Sequence, residues 1–155
     1  MKVLFVCTGN TCRSPMAEAL LNNKICKAAK QKLFTVASAG IAASIDEVAS
    51  DYAKQVMRKR NIDLESHRAT LLTESLLKEA DLILTMTERH KTIILYTFPA
   101  IQAKVYTIGE YTGSAQEVID PFGRDYNAYD VCASMLAKQI DLLWAKINLG
   151  SEMNK

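Results

Sequence analysis

The sequence predicts an α/β fold: a four-stranded parallel sheet in a three-layer arrangement, with helices on both faces and the key loop after the first strand. Three observations lead there. Short apolar runs alternate with helical segments, the order that builds parallel strands joined by crossover helices. The first of these runs passes through a loop containing Gly and Asn directly into a helix start. A chain of 155 residues, 49% hydrophobic and 23% charged, has ordinary globular composition. A domain of that size buries about 68–70% of its unfolded surface, so residues 1–155 are expected to form a single domain.

Each element has its own signal. Lys2 to Val6 is β-branched and apolar, as a buried parallel strand requires. After the loop, Ser14-Pro15 precedes Met16-Ala17-Glu18-Ala19-Leu20-Leu21, where proline in the first turn and good helix formers mark a helix start. Leu33 to Ala37 predicts a second strand ending at Ser38-Ala39-Gly40, and Val48, Tyr52 and Val56 recur every four residues along a second helix. Thr73 caps a short helix through Leu77. Asp81 to Thr85 predicts the third strand and is followed by a helical stretch from Thr87; Ala103 to Thr107 predicts a weaker fourth. Past the turn-rich Asp120-Pro121-Phe122-Gly123, apolar residues at Tyr129, Cys132, Leu136, Ile140, Leu143 and Ile147 give a long amphipathic helix.

Bulk properties narrow the function. The formal net charge is +2 and the basic residues are dispersed, which argues against a nucleic-acid binder. No apolar stretch approaches the roughly 18 residues of a membrane span, and the N-terminal run is too short for a signal-peptide core. A cytoplasmic protein with no membrane partner is expected. Its four cysteines, Cys7, Cys12, Cys26 and Cys132, then read as reduced thiols. Cys7 and Cys12 are wrongly spaced for a zinc knuckle and only His67 and His90 could assist, so no metal and no cofactor are expected.

In parallel α/β sheets, ligands gather outside the carboxyl ends of the strands. The loop there reads Cys7-Thr8-Gly9-Asn10-Thr11-Cys12-Arg13-Ser14, between a strand and a helix N-terminus. Such a loop points backbone N–H groups inward, and the helix dipole adds positive potential, so it binds a dianion. Gly9 and Asn10 are expected to supply the positive φ angles of a tight turn. The same field favours thiolate over thiol at Cys7 and makes it a nucleophile. Arg13 offers a planar fork for two phosphate oxygens, which lysine cannot copy. Ser14 can donate a hydrogen bond to the thiolate and assist it as a leaving group. Attack by the thiolate expels a group that needs a proton, so a carboxylic acid on a loop near the pocket is required. Asp120 fits, although Asp-Pro-x-Gly is also an ordinary turn sequence.

The segment Val6 to Leu20, VCTGNTCRSPMAEAL, resembles the phosphate-binding loop of the low-molecular-weight protein tyrosine phosphatase family. The resemblance extends to Ser38-Ala39-Gly40, to Asp81-Leu82-Ile83-Leu84-Thr85-Met86 and to Asp120-Pro121-Phe122-Gly123, which spans nearly the whole chain. It implies that Asp120 is the general acid and then the base that activates water. It also implies that Thr8, Gly9, Asn10, Thr11 and Cys12 build the phosphate loop with Ser14, and that Asn10 and Ser38 brace it. The family divides into phosphotyrosine enzymes and a bacterial branch for phosphoarginine, and the loop residue two before the arginine distinguishes them. Here it is Thr11, where tyrosine-directed members carry a bulkier aliphatic residue. Aryl specificity also requires two aromatic walls after Asp-Pro, and this chain has Phe122 followed by Gly123. EYTGSAQEVIDPFG and SPMAEAL look closest to the protein arginine phosphatase branch. Phosphoarginine on protein substrates is therefore expected, hydrolysed by a monomer through a phosphocysteine, with phosphotyrosine as the alternative.

An arsenate reductase uses a similar oxyanion loop but needs further cysteines on a mobile segment, and none lies between Cys26 and Cys132. A noncatalytic phosphate-binding module would need neither Cys7 nor Asp120. Cys12 is expected to pack under the loop; as a redox role, it can trap an oxidised Cys7 as a disulfide. Cys26, Cys132 and Trp144 are expected in the core, the two histidines in surface or structural roles, and Arg58-Lys59-Arg60 at a solvated helix end.

Overall fold

The computed structural model describes residues 1–153, so the last two positions of the expected domain lie outside the described residues. Val3 to Cys7 are buried because β1 (Lys2–Cys7) occupies the middle of the sheet. It pairs in parallel with β2 (Thr35–Gly40) on one side and β3 (Leu82–Thr85) on the other. β3 in turn pairs in parallel with β4 (Val105–Thr107), giving the order β2-β1-β3-β4.

The period of two along β1 sorts its side chains into two cores. Val3, Phe5 and Cys7 face a cluster with Met16, Leu21 and Ile25 of α1 (Arg13–Lys27) and Leu136, Ile140 and Leu143 of α6 (Tyr126–Met153). Ala53, Val56 and Met57 of α2 (Asp51–Arg58) join the same side. Leu4 and Val6 face the other way, against Leu77 of α3 (Glu74–Glu79) and Ile94 of α4 (Glu88–Thr97). The expected three layers are present, with helices on both faces.

Thr73 and Thr87 cap α3 and α4 by accepting from the amides of Leu76 and His90. A five-residue helix not expected from the sequence, α5 (Ile108–Thr112), follows β4 under a Thr107–Glu110 capping box. The element is too short for apolar periodicity to reveal it. Other boundaries move. β2 begins at Thr35, and Ala103 and Lys104 belong to a 3₁₀ turn before β4. Val48 lies outside α2, exposed in an antiparallel bridge to Arg68, and Tyr52 is 39% exposed, so the spacing expected for that helix includes a residue of a loop ladder. Cys26 is exposed on α1 rather than in the core. Arg60 is not simply solvated: it bonds the Val56 carbonyl, Asp130 and Ser134, tying the end of α2 to α6.

The sheet fixes the loop through Gly40, which stands beside Cys7 in the β1–β2 register. A Cβ there would lie 2.5 Å from the Thr8 carbonyl oxygen and 2.9 Å from the Asn10 nitrogen, both backbone atoms of the loop. Replacing Gly40 by Ala must therefore push the loop outward, at the roughly 1–3 kcal/mol typical of overpacking. Urea unfolding should show that loss. A change below about 0.5 kcal/mol would mean that the backbones are not in close approach.

Candidate active site

The backbone of the loop is held from outside. The carbonyls of Cys7 and Thr8 accept from the amides of Ile41 (3.0 Å) and Ala42 (2.9 Å), and the Thr11 carbonyl accepts from the Ser50 amide at 2.9 Å. The Asn10 carbonyl accepts from His67 Nε2 at 2.7 Å, so that nitrogen carries a proton. In a planar trans peptide the next N–H points opposite to the carbonyl. Four carbonyls turned outward thus turn the following amides toward the pocket. Those of Gly9, Thr11 and Cys12 have no acceptor among the described residues. The start of α1 adds to this field, since its N-cap, Cys12, makes no side-chain capping bond and its first turn carries no acid.

Asn10 is the left-handed residue of the loop, with φ at 55°. Gly9 is not, and a Cβ on it would meet only Thr11 Oγ1 at 3.7 Å, so the expectation of a positive φ at Gly9 is corrected. Asn tolerates that conformation, and here all its polar atoms are used. Its side-chain oxygen accepts from the Thr70 amide at 2.8 Å, which fixes the amide's orientation. Its Nδ2 then donates to Ser14 Oγ at 2.8 Å and to Ser38 Oγ at 2.9 Å.

Those two donations leave each serine hydroxyl proton free for another acceptor. Ser38 donates to the Glu18 carboxylate. Ser14 is left to donate to Cys7 Sγ, 2.8 Å away, and the Asn10 amide reaches the same sulfur at 3.3 Å. The sulfur thus faces a hydroxyl and a backbone amide of the loop. Burial raises the Glu18 carboxyl above its ordinary range, while the Ser38 bond and the charge of His67 pull it back down.

Arg13 is 4% exposed. Its Nη1 donates to the Val118 carbonyl at 3.1 Å, and its Nη2 lies 3.3 Å from Asp120 Oδ2. The Val118 amide donates to Met86 at the end of β3, and Gln139 Nε2 on α6 donates to Gln116 at 3.0 Å and Ser114 at 3.2 Å. The acid-bearing segment is thus moored to the sheet and to α6 before it reaches the pocket. Gln139 Oε1, by contrast, is buried with no partner among the described residues. Asp120 is half exposed, and its Oδ1 accepts from the Phe122 amide at 3.1 Å in the turn that carries that ring.

The loop, Glu47, Asp120 and Phe122 line a pocket of about 220 Å³. A larger one, about 400 Å³, is lined by Glu18, Ser38 and His67 and not by Cys7 or Asp120. The catalytic geometry belongs to the smaller pocket. All the expected site residues except Ser38 line it or touch its thiol, and Ser38 braces it through Asn10. Cys12 Sγ points under the loop, toward Ser50 Oγ at 2.9 Å and Tyr129 Oη at 3.3 Å. Burial pushes the Cys132 thiol up to about 12, which leaves it unreactive at neutral pH. Among the described residues, no three His, Cys, Asp or Glu side chains gather into a potential metal site.

Sequence reasoning missed Glu18, Glu47 and Gly40, which come from segments distant along the chain; both histidines take the structural role expected of them, bracing the loop. His90 is 5% exposed; its ring contacts Thr8 Oγ1 and Thr87 Oγ1, each at 2.9 Å.

A buried sulfur surrounded by unused amides, with a guanidinium and a carboxylate at one mouth of a parallel α/β sheet, defines a cysteine-dependent phosphatase. The family model for low molecular weight phosphotyrosine protein phosphatase matches residues 2–152, and the chain belongs to that family. It is accordingly a protein phosphatase. A protein-arginine-phosphatase from Bacillus subtilis is 45% identical over 131 residues, 83% of this chain and 85% of that protein. The solved arginine phosphatase of Geobacillus stearothermophilus superposes with a TM-score of 0.92 at 35% identity, covering 99% of this chain and 97% of the other. A low molecular weight protein tyrosine phosphatase from T. tengcongensis gives 0.90 at 42% identity, covering 94% and 99%. Among the described residues no helix is long and apolar enough to cross a membrane.

His90 gives a pH prediction. Burial, then the nearby Arg13 guanidinium, push its pKa down to about 4, against an opposing pull from Asp120. The unfolded chain binds the proton near 6.5, so stability should fall as pH drops from about 7 toward 4, by up to roughly 3 kcal/mol. His90→Gln should flatten this acid limb in thermal melts. Equal slopes in both proteins would remove His90 as the cause.

Proposed function

We propose that this enzyme hydrolyses phosphoarginine on proteins. In the first step the Cys7 thiolate attacks phosphorus, the phosphorus–nitrogen bond breaks, and the departing guanidine nitrogen takes a proton from Asp120. In the second, water attacks the phosphocysteine and gives its proton to the Asp120 carboxylate. The sulfur leaves as thiolate and inorganic phosphate is released. The charge on the equatorial oxygens is met by the inward amides and by Arg13, whose fork exchanges Asp120 for phosphate oxygens. Ser14 stabilises the thiolate on both sides of the cycle.

The single observation that carries the chemistry is the free amides of Gly9, Thr11 and Cys12 around a sulfur that already accepts two hydrogen bonds. Substrate choice is supported by Thr11, whose hydroxyl has among the described residues only a 3.7 Å contact to Cys12 Sγ and can accept from a guanidinium. The lone aromatic wall, Phe122, 71% exposed, agrees, as do relatives named protein-arginine-phosphatase. In this reading residues 1–155 are one domain, working as a cytoplasmic monomer without cofactor, and Cys12 shields an oxidised Cys7 as a disulfide.

Relative rates on matched phosphoarginine and phosphotyrosine peptides should favour phosphoarginine, and Thr11→Ile should shift the ratio toward phosphotyrosine. A wild-type preference for phosphotyrosine, or a ratio unmoved by the substitution, would overturn the substrate assignment. For the mechanism, Asp120→Asn should lower kcat by about 10²–10⁴, the usual contribution of a general acid. Turnover of p-nitrophenyl phosphate should persist in EDTA; metal dependence would contradict a thiolate mechanism.

A further inference from the structure

One charge at the mouth of the phosphate pocket has no part in the chemistry described so far. Glu47 lines that pocket together with the loop, Asp120 and Phe122. Its backbone is fixed: its amide donates to the Ser44 carbonyl at 3.2 Å and its carbonyl accepts from the Ala69 amide at 2.7 Å. On either side, the Asp46 amide donates to the Ala69 carbonyl at 3.0 Å and Val48 is bridged to Arg68. The side chain is exposed and makes no hydrogen bond or ion pair among the described residues. Asp120, on the same rim, is paired with Arg13.

An unpaired carboxylate on a fixed backbone is an odd neighbour for a loop built to attract dianions. It opposes the entry of any phosphate whose leaving group is neutral, a phenol for example. The opposition disappears when the leaving group itself is a cation, because the carboxylate then faces a positive charge directly beyond the phosphorus. Asp120 cannot fill that place throughout the reaction, since the proton it carries for the departing nitrogen cancels its own charge. We propose that Glu47 is a specificity-determining residue that holds the positive guanidinium of phosphoarginine while Asp120 carries the proton, and that it disfavours aryl phosphates. This assignment rests on the phosphoarginine reading above.

The test uses the full chain with Glu47→Gln and Glu47→Lys, measured on a phosphoarginine peptide and on a phosphotyrosine peptide of the same flanking sequence. One near-surface charge contact corresponds to a change of about threefold. Glu47→Gln should lower kcat/KM for phosphoarginine by about that factor, mainly through KM, and raise it for phosphotyrosine. Glu47→Lys should widen both changes, and high salt should shrink them. A merely structural role would move both substrates in the same direction. If the wild type prefers phosphoarginine but both substitutions leave the ratio unchanged, the Glu47 assignment is overturned and the phosphoarginine reading stands. If the wild type prefers phosphotyrosine, that reading fails and takes the assignment with it.

Discussion

The orientation of a few peptide planes governs this site. A carbonyl and the amide that follows it cannot both face the pocket, so the outward bonds from the loop to Ile41, Ala42, His67 and Ser50 decide that amides and not oxygens surround Cys7. Without those outer partners the loop would be free to turn its oxygens toward the sulfur and repel an anion. The sheet register that puts Gly40 next to Cys7, and the ladder linking residues 46–48 with 68–69, are what bring those partners within reach.

Inside that frame, one asparagine connects two functions. Asn10 bears the backbone strain of the turn and also assigns the serine protons, so the hydrogen bond from Ser14 to the sulfur follows from an amide oriented by Thr70. The chain continues through Ser38 to Glu18, a half-buried carboxyl whose ordinary acidity is weakened by its surroundings. The thiol is thereby linked by four successive hydrogen bonds to a carboxyl one turn further along α1.

Much of this was legible beforehand. Strands and helices were readable because apolar period and caps are local, and the phosphate loop because its residues are contiguous from Cys7 to Ser14. What escaped depends on contacts between distant segments. His67 and His90 were legible as structural residues but not their partners: one donates to Asn10 and the other contacts Thr8. Of the two residues expected to take the left-handed conformation, Asn10 does and Gly9 does not, while Gly40, thirty residues on, leaves the space. Val48 illustrates the reverse error: an apolar residue at helical spacing that belongs to a loop bridge.

Gln139 carries a different implication. Its amide nitrogen secures the segment leading to Asp120, but its side-chain oxygen is buried with no donor among the described residues. An unmet buried acceptor lowers stability by about 1–3 kcal/mol. Selection for thermal endurance alone would favour an apolar residue here, at the expense of the anchor. The long helix therefore contains a point where robustness and turnover pull in opposite directions, and variants evolved for heat resistance would be expected to reveal that conflict at this position.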